Sequence, residues 1–248
     1  MACSHPSSHV SHPSPAAALL SAGGGLWRMA WPGRGSLDQR PVLAGVADRS
    51  LSLDGLRTVL GPLVLAQQVH GVSLAAIGDA SCVLPVAGCD GLTTALPDVT
   101  LVIRTADCLP ILAWDPIQHV AGILHAGWRG LAGGLPRRLI VWLREVYGSR
   151  PSNLWLAIGP AIRACCYDVG AEFEARFGSF VRMDRGRRTC DLIGAATQQL
   201  VESGVAAERV LDSGCCTACD AARWHSVRRD GQHAGRLLSF IRLGAMGR

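Results

Sequence analysis

Residues Thr100–Gly130 read TLVIRTADCLPILAWDPIQHVAGILHAGWRG. Three apolar segments, Thr100–Arg104, Ile111–Trp114 and Val120–His125, are bounded by turn residues and carry β-branched side chains, which marks them as strands. Cys108 falls in the tight loop between the first two, where Pro110 opens the second. His125 ends the third, before a Gly-containing turn into a helix. Upstream, a segment Leu63–Gln68 has the same character, and it runs into Val69-His70-Gly71. Two imidazoles and a thiolate therefore stand on strand ends and short turns, where packing limits their rotamers. One sulfur and two nitrogens form a set for zinc or copper with a coordination position left open, the arrangement of a catalytic metal rather than a structural one.

Outward from this block the pattern continues. Val42–Ala47, Leu154–Gly159 and Arg209–Asp212 read as further strands, and Trp224–Arg228 with Arg236–Leu243 as a closing hairpin turning at Asp230-Gly231. Pro136 suits the first turn of a helix ending at Tyr147, with Leu139, Leu143 and Val146 on one face and Gly148 as its stop. Asp191 caps a second, whose Leu192, Ala195, Ala196, Gln199 and Leu200 share a face, and Ala171–Phe177 is a shorter third. No repeat or long linker divides residues 41–248. The expected fold is a single mixed α/β domain. Residues 1–40 are rich in Ser, His, Pro, Ala and Gly and are expected to be disordered, with Met29 an alternative start; His5, His9 and His12 belong to that tract.

Composition narrows the function. Of 248 residues, 49% are hydrophobic and 17% charged, enough apolar content for a sizeable core. No apolar run reaches the roughly 18 residues a membrane span needs. All 24 basic residues are Arg, and the net charge is +5. No basic stripe interleaved with aromatics is present, which argues against nucleic-acid binding. The one local cluster, Arg182, Arg185, Arg187 and Arg188, reads as a solvated loop. Ten cysteines in a chain this long, with Cys165-Cys166 and Cys215-Cys216 vicinal, do not read as a disulfide scaffold. A reducing cytoplasm with buried or redox-active thiols is the expectation. Cys216 and Cys219 have the spacing of half a zinc site, but no second pair stands at a plausible spacing.

Several motifs in order carry a resemblance: Gln68-Val69-His70-Gly71, Cys89-Asp90-Gly91, Thr105–Pro110, His125–Gly130, Ile158–Ile162 with Tyr167–Gly170, Asp191-Leu192, Cys216–Cys219, Ser226–Arg229 and Gly235-Arg236. Over about residues 42–248 the chain resembles the laccase-domain family, described as polyphenol oxidase-like, purine nucleoside phosphorylase-like or peptidoglycan editing factor. The resemblance implies an α+β (mixed α/β) single domain with packed mixed β-sheets and outer helices, and zinc on His70, Cys108 and His125, the set the donor chemistry also selects. It implies phosphorolysis of adenosine, inosine, guanosine or methylthioadenosine, with deamination of adenosine, and a link of some members to peptidoglycan precursors. The family's Asn-Leu and Asn-Arg elements before the first His ligand have no match in Leu51–Gly61.

Phosphorolysis needs an anion site and stabilisation of a departing purine. Arg129, entering a helix N-terminus, is the first candidate for phosphate, followed by Arg228 and Arg229. Trp128 is a candidate to stack on a base, and Tyr167 to line the pocket. Deamination needs a carboxylate to carry a proton, and Asp107 and Asp90 are the candidates. Asp191 reads as a helix cap before a catalytic group.

Three rivals remain. A metal-independent hydrolase would use Cys108 as nucleophile and His125 or His70 as base. A copper polyphenol oxidase is less favoured, because dioxygen-reducing sites need more histidines than this body holds. A non-enzymatic interaction role leaves the open donor set without a purpose. A cytidine-deaminase type lacks its His-x-Glu and Pro-Cys-x-x-Cys signature.

Overall fold

The computed structural model describes residues 19–31, 42–79, 85–184 and 186–245. Two six-stranded sheets face each other. The first has the order β1 (Leu19–Gly23), β2 (Leu26–Met29), β3 (Val42–Ala47), β14 (Leu237–Leu243), β7 (Thr100–Thr105) and β4 (Leu63–Leu65). The second runs β13 (Val210–Asp212), β10 (Trp155–Ile158), β8 (Leu109–Asp115), β9 (Val120–Ala126), β6 (Gly91–Thr94) and β5 (Leu74–Ala76). Both are mixed: β4–β7, β5–β6 and β10–β13 pair in parallel, and the other neighbours antiparallel. The mixed single-domain class expected from the sequence is the one observed.

Side-chain alternation builds three layers of core. Along β8, Leu109, Ile111 and Ala113 face one way, packing under α2 (Trp128–Ala132), α3 (Leu135–Tyr147) and α5 (Leu192–Glu202). Leu112 and Trp114 face the other, meeting Leu101, Ile103 and Ile241 of the first sheet. The far side of the first sheet is covered by α1 (Leu53–Leu60), whose Leu56 and Leu60 pack on Leu65, Val102 and Phe240. Strands buried on both faces carry near-continuous apolar runs, which is why β7, β8 and β9 lack the polar alternation of a half-exposed sheet.

The helix expectations hold in outline. Asp191 caps α5 by accepting from the Gly194 N–H at 3.0 Å, and Gly148 ends α3 in the left-handed conformation (φ 70°). Val146 is exposed (45%); instead Tyr147 turns inward to hydrogen-bond Thr93 Oγ1 at 3.0 Å. Ala171–Phe177 is one 3₁₀ turn followed by α4 (Glu174–Phe177).

Three expectations are corrected, and one segment left unassigned is filled. First, Leu19–Gly23 and Leu26–Met29 form a hairpin that adds to the first sheet through β2–β3, so ordered structure begins inside the segment expected to be disordered. Met29 is buried in β2; His5, His9 and His12 lie outside the described residues. Second, the C-terminal hairpin does not form. Val227–Asp230 is a short helix, α6, capped by Ser226, and β14 pairs instead with β3 and β7. Its apolar side chains bury on two sheet neighbours rather than one, which outweighs the local turn signal of Asp230-Gly231. Third, Arg182, Arg187 and Arg188 of the arginine cluster lie on a two-stranded ribbon, β11 (Val181–Asp184) and β12 (Arg187–Cys190), where Arg187 pairs with Asp168 and Arg188 with Glu174; Arg185 lies outside the described residues. The unassigned Leu51–Gly61 holds α1, capped by Ser52, whose Oγ accepts from Gly55 N–H at 3.1 Å.

Candidate metal centre and its cavity

The chain crosses from the first sheet to the second between β7 and β8, and Cys108 sits on that crossing. Asp107, immediately before it, holds φ 94°, a conformation non-glycine residues seldom adopt. Three bonds sustain it. Asp107 Oδ1 accepts from Thr217 Oγ1 at 2.6 Å, Oδ2 accepts from Arg228 N–H at 2.7 Å, and the Asp107 carbonyl accepts from Ile162 N–H at 2.9 Å.

His70 lies on a second strained turn, five residues beyond β4, with Gln68 (φ 62°) and His70 (φ 58°) both left-handed. Each costs on the order of 1–2 kcal/mol, so the surroundings must over-determine the loop. They do. Gln68 clamps β7 from both ends of its amide, donating to the Arg104 carbonyl at 2.6 Å and accepting from Arg104 N–H at 2.8 Å. Gln67 accepts from Gly88 N–H at 2.7 Å.

Asp90 closes the arrangement. Its carboxylate, fully buried, accepts backbone N–H bonds from Val69 (3.2 Å), His70 (2.9 Å) and Gly71 (2.7 Å). The same group accepts from His125 Nδ1 at 2.8 Å. Holding a proton on Nδ1 leaves the lone pair of His125 on Nε2, the tautomer a metal ligand requires, and a carboxylate behind a ligating imidazole is the usual support. His125 is buried at 3% exposure, His70 is exposed and Cys108 is half-buried. One donor atom from each lies within 4.8 Å of the others. Gly127 makes room for them: a Cβ there would stand 3.1 Å from both Cys108 Sγ and His70 Cδ2.

The metal-free electrostatics follow from this crowding. Burial opposes ionisation of Cys108, but His125 and His70 beside it more than offset that and bring its thiol down to about 7. Burial likewise disfavours protonated His125, but Asp90 and Cys108 outweigh it and raise the imidazole to about 9. The group holds a thiolate and an imidazolium together between those values. Such a site attracts a soft cation, and three donors of this type fit zinc with one position open.

The group opens into a cavity of about 900 Å³, whose wall includes Gln67, Arg104, Asp107, Tyr167, Arg228 and Arg236, with Ile162, Val227 and Ala234 as apolar lining. Tyr167 is half-buried; burial, with the Cys108 charge second, pushes its phenol up to about 12, so it remains protonated. Arg228 is held over the Tyr167 ring at 4.9 Å, and its Nη1 donates to the Cys166 and Asp168 carbonyls at 3.2 and 3.0 Å.

The structure thus brings His70, Cys108, His125, Asp107, Tyr167 and Arg228 to one cavity and leaves three other candidates elsewhere. Arg129 is exposed and stacks at 4.3 Å over Trp128, away from the cavity lining. Trp128 packs at 5.2 Å from Phe173 in the core beneath the helices. Arg229 spends its guanidinium on the Thr217, Ala218 and Trp224 carbonyls and on Asp230. Arg104 and Arg236, which line the cavity, were not singled out as anion ligands. An arginine amid the apolar residues of β7, and the Gly235-Arg236 pair, were the available signals. Asp90 and Asp107, the two carboxylate candidates, have both oxygens engaged in hydrogen bonds.

Comparison with known proteins places this geometry. The family model described as multi-copper polyphenol oxidoreductase laccase matches residues 44–244. A protein named purine nucleoside phosphorylase YlmD, from Geobacillus stearothermophilus, is 34% identical over 72% of this chain and 71% of its own length. One named adenosine deaminase RL5, from an unknown prokaryotic organism, is 29% identical over 84% of this chain and 90% of its own. The crystal structure of YlmD from Geobacillus stearothermophilus superposes with a TM-score of 0.81, at 26% identity, covering 92% of this chain and all of that one. With residues 44–244 matched, a range that takes in strands of both sheets and the His70, Cys108 and His125 positions, the chain belongs to the multi-copper polyphenol oxidoreductase laccase family.

Proposed function

We propose that the protein is a zinc-dependent purine nucleoside phosphorylase acting on adenosine, inosine, guanosine and methylthioadenosine, with adenosine deamination as a second activity of the same cavity. The observation that carries this is the His70–Cys108–His125 group opening into a cavity with three arginines on its wall. Its volume of about 900 Å³ lies within the range of small-molecule sites, roughly 300–1,000 Å³. The names of relatives support the substrate class.

His70, Cys108 and His125 would hold the ion; zinc there would supply Lewis acidity and acidify a coordinated water to a pKa of about 7. The favoured metal is zinc over copper because neither phosphorolysis nor deamination transfers electrons. Arg228 is the favoured phosphate ligand. Its Nη1 is committed to carbonyls, which fixes the plane of the guanidinium and leaves Nε and Nη2 for an anion. Arg104 and Arg236 add positive charge where phosphate must approach the ribose. Tyr167, protonated at neutral pH, offers a hydrogen bond to a purine nitrogen or a ribose oxygen. Asp90 and Asp107 hold the donors in place.

A second reading has a specific observation behind it. The low Cys108 thiol and the Asp90–His125 pair resemble the nucleophile, base and orienting acid of a cysteine hydrolase. The phosphate requirement separates the two. Adenosine, inosine and methylthioadenosine are incubated with and without phosphate and the products resolved by chromatography, beside His125→Ala. Phosphate-dependent release of free base, lost in the variant, supports the phosphorylase; inosine formed from adenosine without phosphate adds the deaminase. No turnover of any nucleoside by zinc-replete protein overturns the phosphorylase and the deaminase alike and directs the search to peptidoglycan-derived substrates.

A further inference from the structure

A second set of donors lies apart from the first. β10 and β13 are parallel neighbours, so the loops that leave them emerge on the same edge of the second sheet. The first loop carries Cys165 and Cys166, the second Cys216 and Cys219. The loops are joined by backbone bonds, Thr217 N–H to the Ala161 carbonyl at 3.0 Å and Ala161 N–H to the Cys215 carbonyl at 3.3 Å. A two-point ion pair, Arg163 to Asp212 at 2.9 and 2.8 Å, adds to them. Four sulfurs converge as a result. Cys165 and Cys166 stand 3.8 Å apart, Cys165 and Cys219 3.6 Å, Cys166 and Cys219 3.4 Å, and all four lie within 4.8 Å of one another.

From this geometry we infer that Cys165, Cys166, Cys216 and Cys219 form a closed tetrathiolate site for a structural zinc ion. Four sulfurs at about 2.3 Å from a tetrahedral ion stand about 3.8 Å from each other, close to the spacings observed. A disulfide would need two sulfurs at about 2.05 Å, and none of the four cysteines is in a disulfide. Cys216-Thr217-Ala218-Cys219 supplies the two-residue spacing of a zinc-binding turn, and backbone amides of Arg163, Cys219 and Ala218 hydrogen-bond the Cys216 sulfur, as thiolate ligands require. Sequence spacing hid the second pair because it is vicinal and lies some fifty residues upstream; parallel strand pairing brings it into place. Unlike the first group, this one has four protein donors, so it leaves no position for a substrate.

The consequence reaches the cavity without depending on which reaction occurs there. Tyr167 follows Cys166 directly, Thr217 holds Asp107, and Arg228 is tethered to the Cys166 carbonyl. An ion joining the two loops would fix all three.

The test uses the full chain purified in reducing buffer without chelator. Wild-type protein is expected to carry two zinc ions per chain, and His70→Ala/His125→Ala and Cys216→Ser/Cys219→Ser one each. X-ray absorption of the zinc kept by the histidine variant should show four sulfurs at about 2.3 Å. That spectrum decides the matter even if the cysteine variant does not fold. A histidine variant without bound metal, or with nitrogen or oxygen in its zinc shell, overturns the inference.

Discussion

Asp90→Asn isolates the buried carboxylate behind the candidate metal ligands. Its Oδ1 accepts from His70 N–H and His125 Nδ1, and its Oδ2 from Val69 and Gly71 N–H. Asparagine has the same shape but keeps one acceptor and turns the other into a donor. Whichever way the amide sits, two of four buried donors face another donor. Each such loss costs about 1–3 kcal/mol, so about 2–6 kcal/mol is divided between folding and ligand geometry. If the amide nitrogen faces His125, the imidazole must move its proton to Nε2, which closes the lone pair a metal would take. Outer partners of this kind are worth roughly 10–100-fold in metal affinity. Zinc affinity measured by competition with a chromogenic chelator, beside thermal melting of the metal-free protein, should show both losses. Zinc affinity within twofold of wild type and an unchanged melting temperature would refute the role assigned to Asp90.

Three further outcomes follow from the same geometry. In metal-free protein, Cys108 alkylation by iodoacetamide should rise with a midpoint near pH 7; a midpoint near 9 contradicts the thiolate–imidazolium group. The signs for stability oppose each other: the Cys108 contribution is full above its ordinary 9.0 and lost as pH falls through about 7, whereas that of His125 is full below 6.5 and lost as pH rises through about 9. Gly127→Ala should weaken zinc binding while leaving the circular dichroism spectrum unchanged, because the new methyl would press on Cys108 and His70 at 3.1 Å; unchanged zinc affinity would show that the ligands shift freely. Asp191→Ala should lower stability by about 1 kcal/mol in urea unfolding through loss of the α5 cap, with turnover unaffected; a collapse of kcat at intact stability would return Asp191 to the catalytic candidates.

The convergence of His70, Cys108 and His125 was legible in the sequence because these residues are chemically distinctive and stand beside strongly apolar strands and turn residues. The sheet order was not, since it depends on pairings far apart in sequence: β14 between β3 and β7, β13 beside β10. Asp230-Gly231 gave a local hairpin signal that lost to burial of β14 on two neighbours. The support of the site was also hidden. That Asp90 binds His125 and three backbone amides follows from a convergence of Val69–Gly71 with β6 and β9, which no local pattern encodes. Arg129 misled for the opposite reason: its place beside a helix start looked suited to an anion, but α2 turns it outward over Trp128.

The most direct test is a zinc titration into metal-stripped protein, following phosphate-dependent release of hypoxanthine from inosine. The account predicts no release without metal and recovery on adding zinc, with none in His125→Ala. Full-rate turnover by the stripped protein would contradict it, and would give the cavity to Cys108 and His125 acting alone.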